Sequence, residues 1–305
     1  MMITTASTMA DPIRYRVLHE TLTTYHRTVT LSQQFLHMTP RSFLYQQTQS
    51  HQLTIDPKPP DWSNRIDYFG NATRSLTLPS PHRELLVLAD TVVLLTPRPR
   101  MTQLANSLSW EEQRACLLTT QDATSLEPYV FLYESPHISC GEELVEYASS
   151  SFTPGRALLD ACMELTERIY HDFKYDPEAT TISTPLIDVL RGRRGVCQDF
   201  AHLMIGCLRS LGLACRYISG YILTTPPAGQ PRLVGADASH AWVSVYCEGY
   251  GWVDFDPTNR CLVKDEHITV GWGRDFSDVT PMRGIVLGGG GQELRVAVTV
   301  ALMEN

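Results

Sequence analysis

Polar and apolar residues alternate with a period of two through much of the first 135 or so positions. Tyr15, Val17 and His19 alternate with Arg14, Arg16 and Leu18, and Val29 to Leu36, His51 to Ile55 and Leu85 to Leu95 read as further strands. Turn-forming Pro, Asn and Gly residues separate them, with Pro57, Pro59 and Pro60 marking a loop. This pattern predicts an antiparallel β-sandwich. The period then changes. Trp110 to Leu118 and Glu142 to Ser149 are short helical candidates, and Pro154 opens a predicted helix through Ala157, Leu158, Ala161, Leu165 and Ile169. Phe200, Leu203, Met204, Cys207, Leu208 and Leu211 fall three and four apart, which is the buried stripe of an amphipathic helix, and Gly212 reads as its stop. Leu213 to Thr224 is strand-like, Thr225 to Gly235 is a proline-punctuated loop, and Gly288 to Gly291 reads as a hairpin tip before a last strand, Leu294 to Leu302. The predicted fold is α+β, with a β-sandwich domain and linker over 12–150 and a core of helices on an antiparallel sheet over 151–305.

Two further runs predict a hairpin. Val243 and Val245 fall on one face of the first run, and Val253 and Phe255 on one face of the second, with Glu248 to Gly251 between them as turn material. If both apolar faces join one core, 246 opposes 252, 244 opposes 254 and 242 opposes 256; a one-residue slip would turn one set outward. In that register His240 and Asp256 share a face on a diagonal of about 7–8 Å between Cα atoms. Asp254 shares the face but lies one pair further from His240. Cys197 stands at the start of the Phe200–Leu211 helix, where unpaired N–H groups and the positive dipole end favour a thiolate and can hold an oxyanion. A thiol, an imidazole and a carboxylate in this order point to acyl transfer through a thioester.

Composition narrows the classes. The 305 residues carry a net charge of −8, which argues against a nucleic-acid partner; the one basic knot is Arg191, Arg193 and Arg194. No run approaches the roughly 18 apolar residues of a membrane helix. Met1 to Ala10 lacks the basic and apolar regions of a signal peptide. The eight cysteines are scattered, without zinc-ligand spacing or the density of a secreted disulfide scaffold. A reducing cytoplasm is the expected compartment. No metal site and no cofactor are expected.

The strings Thr184-Pro185-Leu186, Arg194-Gly195-Val196-Cys197-Gln198-Asp199-Phe200-Ala201-His202, Arg216 to Tyr221, Gly235 to Trp242 and Gly251-Trp252 through Asp256-Pro257-Thr258-Asn259 resemble the transglutaminase-like superfamily over roughly residues 155–275. Thr21 to Tyr25 and Asp67-Tyr68-Phe69-Gly70-Asn71 resemble the N-terminal β domain of its bacterial branch. The resemblance implies a papain-like core in the order Cys…His…Asp, with Cys197 attacking an amide carbonyl. Gln198, Asp199, His202, Trp242 and Asp254 are then supporting or oxyanion-stabilising positions. It does not imply cross-linking: no acidic calcium loop is visible, and few residues follow the core. The expected substrate is a peptide or protein amide, cleaved by water. Transfer to an amine, acetyl transfer, and a non-catalytic binding module on the same scaffold are the alternatives.

Overall fold

The computed structural model describes residues 11–98, 101, 103–119, 126–224 and 239–303; Met1 to Ala10 and the loop expected at Thr225 to Gly235 lie outside them. Five strands come first: β1 (Ile13–Leu36), β2 (Gln46–Asp56), β3 (Asp61–Ile66), β4 (Ala72–Leu78) and β5 (His82–Leu95). They form one antiparallel sheet, ordered β2-β5-β1-β4-β3 and curved into a half-barrel. The segments expected as separate strands around Tyr15 and Val29 are a single strand of 24 residues. Its first half buries odd positions, Tyr15 through Tyr25, and its last residues bury even ones, Ser32, Gln34 and Leu36. An irregularity in the pairing with β5 falls between Thr24 and Val29. Such a break changes which face points inward. One strand can thus pair with β5 along its first half and β4 along its second. Leu76 and Leu78 from β4 and Leu85 and Val87 from β5 then meet in one core.

The helices α1 (Trp110–Thr119), α2 (Glu142–Ser149) and α3 (Leu158–Asp172) follow. α3 starts later than Pro154 because Thr153 to Arg156 form a turn, closed by the Arg156 N–H on the Thr153 carbonyl at 3.1 Å. Its first turn is satisfied from elsewhere in the chain: Leu159 N–H donates to Ser107 Oγ at 3.1 Å. Then β6 (Lys174–Tyr175), α4 (Leu186–Gly192) and β7 (Arg194–Gly195) lead into α5 (Cys197–Ser210). The predicted stripe of α5 packs against Tyr217, Val243, Val245 and Phe255, each such buried side chain contributing about 1.5–3 kcal/mol. The helix ends where Gly212 predicts. Leu213 N–H reaches the Leu208 carbonyl at 3.0 Å and Gly212 N–H that of Arg209 at 2.9 Å, a Schellman closure.

The core sheet contains β8 (Cys215–Ile222), β9 (Ser239–Cys247), β10 (Gly251–Asp256), β11 (Cys261–Leu262) and β12 (His267–Gly273), ordered β11-β10-β9-β8-β12. The β9–β10 hairpin has the expected register, Tyr246 opposite Trp252 and Ser244 opposite Asp254. α6 (Phe276–Val279) comes next, then β13 (Met282–Gly288) and β14 (Gln292–Leu302).

Gly288 to Gly291 is not a hairpin tip. β13 pairs with Val29 to Leu36 and β14 with Tyr15 to Tyr25, both antiparallel. Residues 282–302 therefore run in one direction along β1, and the glycines fill a mid-line bulge opposite His26 to Thr28. Gly288 has φ 93°, and a Cβ there would stand 2.6 Å from the Thr28 carbonyl oxygen. A glycine run is a turn signal locally; here it marks a close backbone approach. The division at 150/151 consequently separates strands that one sheet joins.

The two halves share apolar contacts, with Tyr15, Val17, Val93, Val298 and Val300 against Tyr221, Ile268 and Val270. β12 is an edge of the core sheet, and side-chain amides from the N-terminal half complete it. Gln46 Nε2 donates to the Thr269 carbonyl at 2.7 Å while its Oε1 accepts the Thr269 N–H at 2.8 Å. Asn71 treats Trp272 likewise, at 2.9 and 3.0 Å. Edge groups left unpaired in the interior would be costly. Among the described residues no helix is long and apolar enough to cross a membrane.

Candidate active site

The string Gly195 to Asp199 builds the nucleophile position. Val196 is extended at φ −115°, ψ 179°, and α5 begins at Cys197. Asp199, at the third helical position, reaches back so that its Oδ2 accepts the Val196 N–H at 2.8 Å and the Thr180 hydroxyl at 2.7 Å. That satisfies a donor at the helix start and sets a carboxylate at the positive dipole end. The approach needs glycine at 195, where a Cβ would lie 2.5 Å from Asp199 Oδ2. Cys197 is half-buried. N–H groups of a first helical turn have no acceptor within the helix.

The Cys197 side chain stands beside the His240 imidazole and acts on it. His240 Nε2 donates to Asp256 Oδ2 at 2.7 Å, which leaves Nδ1 as the ring nitrogen open to the sulfur. The diagonal computed from the hairpin register is thus closed by a hydrogen bond. Asp256 is fully buried. Its Oδ1 accepts the N–H groups of Thr258 and Asn259 at 2.9 and 3.1 Å. Its Oδ2 also accepts Asn259 Nδ2 at 2.7 Å and His267 Nε2 at 3.0 Å. Burial alone would raise the Asp256 pKa, but the imidazole donors His240 and His267 outweigh it and hold it below the ordinary carboxylate range. Burial likewise opposes charge on His240, yet hydrogen bonds and charge at Asp256 and Cys197 prevail and raise its pKa. A half-exposed thiol, an imidazole that accepts and returns a proton, and an ionised carboxylate fixing that imidazole are the parts of a nucleophilic acyl transfer.

The other expected positions scatter in role. Gln198 is half-buried in the first turn of α5. His202 is buried, its Nε2 accepting the Phe276 N–H at 3.2 Å and its ring stacked on His137 at 5.5 Å; burial lowers its pKa to about 3, so it is a neutral tie between α5 and α6. Trp242 is fully buried, beside His240 and edge-on to His267. Asp254 accepts Arg98 Nη1 at 2.8 Å and is committed to that ion pair.

Sequence reasoning missed His267 and the side chain of Asn259. Asn259 was visible in the Asp-Pro-Thr-Asn string, where an aspartate commonly caps the following turn. His267 had no local signal, since β12 joins β8, a strand remote in sequence. Contrary to the expectation of no metal cluster, the ligand atoms of His240, Asp256 and His267 lie within 4.8 Å of one another. The carboxylate sits 2.7 and 3.0 Å from the two imidazoles, and these are hydrogen-bond lengths that satisfy all three without an ion.

Comparison with known proteins agrees with this architecture. Residues 146–257 match the transglutaminase-like superfamily and residues 15–94 the bacterial transglutaminase-like N-terminal region. The chain belongs to the transglutaminase-like superfamily. An uncharacterized protein of Mycobacterium tuberculosis (strain ATCC 25618 / H37Rv) is 42% identical over 279 residues, covering 90% of this chain and 87% of the relative. An uncharacterized protein of Mycobacterium leprae is 30% identical, covering 94% and 98%. A Pseudomonas aeruginosa protein-glutamine gamma-glutamyltransferase is 31% identical over 102 residues, which is 31% of this chain and 15% of that protein. The fold superposes on a Cytophaga hutchinsonii protein described as a "Putative Cysteine Protease", with a TM-score of 0.74, 18% identity and 97% and 93% coverage.

Proposed function

We propose that this protein is a cysteine-dependent amide hydrolase, a protease or amidase acting on a peptide or protein amide through a thioester. The observation that carries the reading is the imidazole of His240, hydrogen-bonded to the buried Asp256 at 2.7 Å with Cys197 beside it at the start of α5. His240 Nδ1 takes the proton from the Cys197 thiol, and the sulfur attacks the amide carbonyl. The oxyanion forms beside the first-turn N–H groups of α5. Collapse breaks the C–N bond, His240 returns its proton to the departing amine, and water then cleaves the thioester under His240 base catalysis. Asp256 holds the imidazole tautomer and balances its charge. Cys197 is in no disulfide, and a reducing compartment such as the cytoplasm would keep it a thiol.

The local likeness to a glutamine gamma-glutamyltransferase favours one second reading, in which an amine in place of water accepts the acyl group. One assay separates the two: a peptide library incubated with a labelled primary amine and read by mass. Hydrolysed product is expected; labelled peptide instead would assign transamidation. Cys197→Ala should remove either product, by about 10³-fold or more, while its thermal unfolding midpoint stays within a few degrees of wild type. Cys207→Ala, deep in the core, should keep the chemistry. Turnover by Cys197→Ala within a few fold of wild type would sink the assignment.

A further inference from the structure

We infer that His267 is a positioning residue for this site: a second imidazole that orients the Asp256 carboxylate, and through it His240. The kinetic part of this inference rests on the hydrolase reading above.

Asp256 carries a full charge in the interior, and a buried carboxylate is held only by the donors around it. Its Oδ1 is taken by the Pro257–Asn259 turn. Its Oδ2 faces the chemistry, and there His267 Nε2 at 3.0 Å approaches from β12, opposite in chain origin to His240 from β9. His267 is 3% exposed. The Lys264 N–H points to His267 Nδ1 at 3.4 Å, which assigns the ring proton to Nε2 and makes that atom a donor. Trp242 packs edge-on to the His267 ring, 5.3 Å between centroids, so the donor's plane is fixed as well. An ionised acceptor shared by two imidazole donors cannot turn toward one without loosening the other.

The anchor behind His267 is long. β12 pairs with β8, His267 opposite Ile222. Its outer edge is held by the amides of Gln46 and Asn71, both almost fully buried. These come from the N-terminal sheet. The half-barrel therefore fixes the strand whose first residue braces the carboxylate of the triad, which gives the N-terminal half a part in the chemistry.

The test compares His267→Leu, which removes the donor, with His267→Gln, whose Nε2 can replace it. Three readouts are taken on the full chain: kcat and KM, the rate of Cys197 alkylation by iodoacetamide, and the downfield proton resonance of the His240 Nε2–H. His267→Leu should lower kcat about tenfold to a hundredfold, the worth of one hydrogen bond to a charged group, with KM little changed. It should slow alkylation and shift or broaden the His240 resonance. His267→Gln should recover much of all three. If His267→Leu lowers only the thermal midpoint, leaving kcat, alkylation and resonance as in wild type, His267 is merely structural and the inference is overturned. If the wild-type protein fails to turn over and Cys197 is not selectively labelled, the hydrolase reading fails instead. The resonance still decides then: moved in the Leu variant and restored by Gln, the positioning stands; unmoved, it falls.

Discussion

The proton on His240 is governed by two neighbours against burial. Desolvation pushes its pKa down, but hydrogen bonds and charge at Asp256 and Cys197 raise it to about 10. An unfolded histidine titrates near about 6.5. The proton's contribution to stability is thus complete below about pH 6.5 and is lost as pH rises through the raised value. Asp256 gives the opposite limb: its lowered pKa contributes stability above about pH 4, lost as the medium is acidified. The imidazolium, holding the proton of the Cys197 thiol, should persist through neutral pH, visible in the ¹⁵N shifts of His240, and kcat/KM, whose acylation step needs that proton for the departing amine, should fall on the alkaline side. In Asp256→Asn that alkaline fall should move to lower pH. An imidazole that titrates at its ordinary value in the wild-type protein would contradict the hold of Asp256 on His240. This pair was legible in the sequence because one apolar alternation fixed one register. His267 was not, since nothing near residue 267 says which remote strand it will join.

At the scale of elements, the start of α5 shows how a short string encodes a geometry. Its periodic stripe and glycine stop gave the helix, and the cap explains why glycine and aspartate flank the cysteine. Gly195→Ala should drive a methyl into Asp199 and loosen the cap, costing about 1–3 kcal/mol, read as a lower denaturant midpoint. Cys197 moves with that turn, so activity should fall by more than the lost stability explains. Equal activity per folded molecule would show that Asp199 does not set the nucleophile. Other elements were opaque for a clear reason. The start of α3 depends on Ser107, 52 residues before Leu159. The switch of face along β1 depends on partners at both ends of the chain. Local patterns cannot report a cap or a pairing supplied from a distance.

At the scale of the molecule, the transglutaminase-like half leans on the other. Tyr221, Ile268 and Val270 are covered by strands of the half-barrel, and Gln46 and Asn71 close the edge of β12. A fragment of residues 146–275 should therefore expose apolar surface and an open edge. It should bind a hydrophobic dye, associate, and lack selective labelling at Cys197; a monomeric, cooperatively unfolding and reactive fragment would refute this.

The line of residues 282–302 along β1 sets an order in time. β1 precedes the thiol, imidazole and carboxylate in chain order, and the strands that fill its second side follow them. Val298 and Val300 also belong to the packing under Ile268. A growing chain thus carries its thiol, imidazole and carboxylate well before it owns the strands that brace them. On the hydrolase reading, competence waits until residues 282–302 have been made and laid along β1.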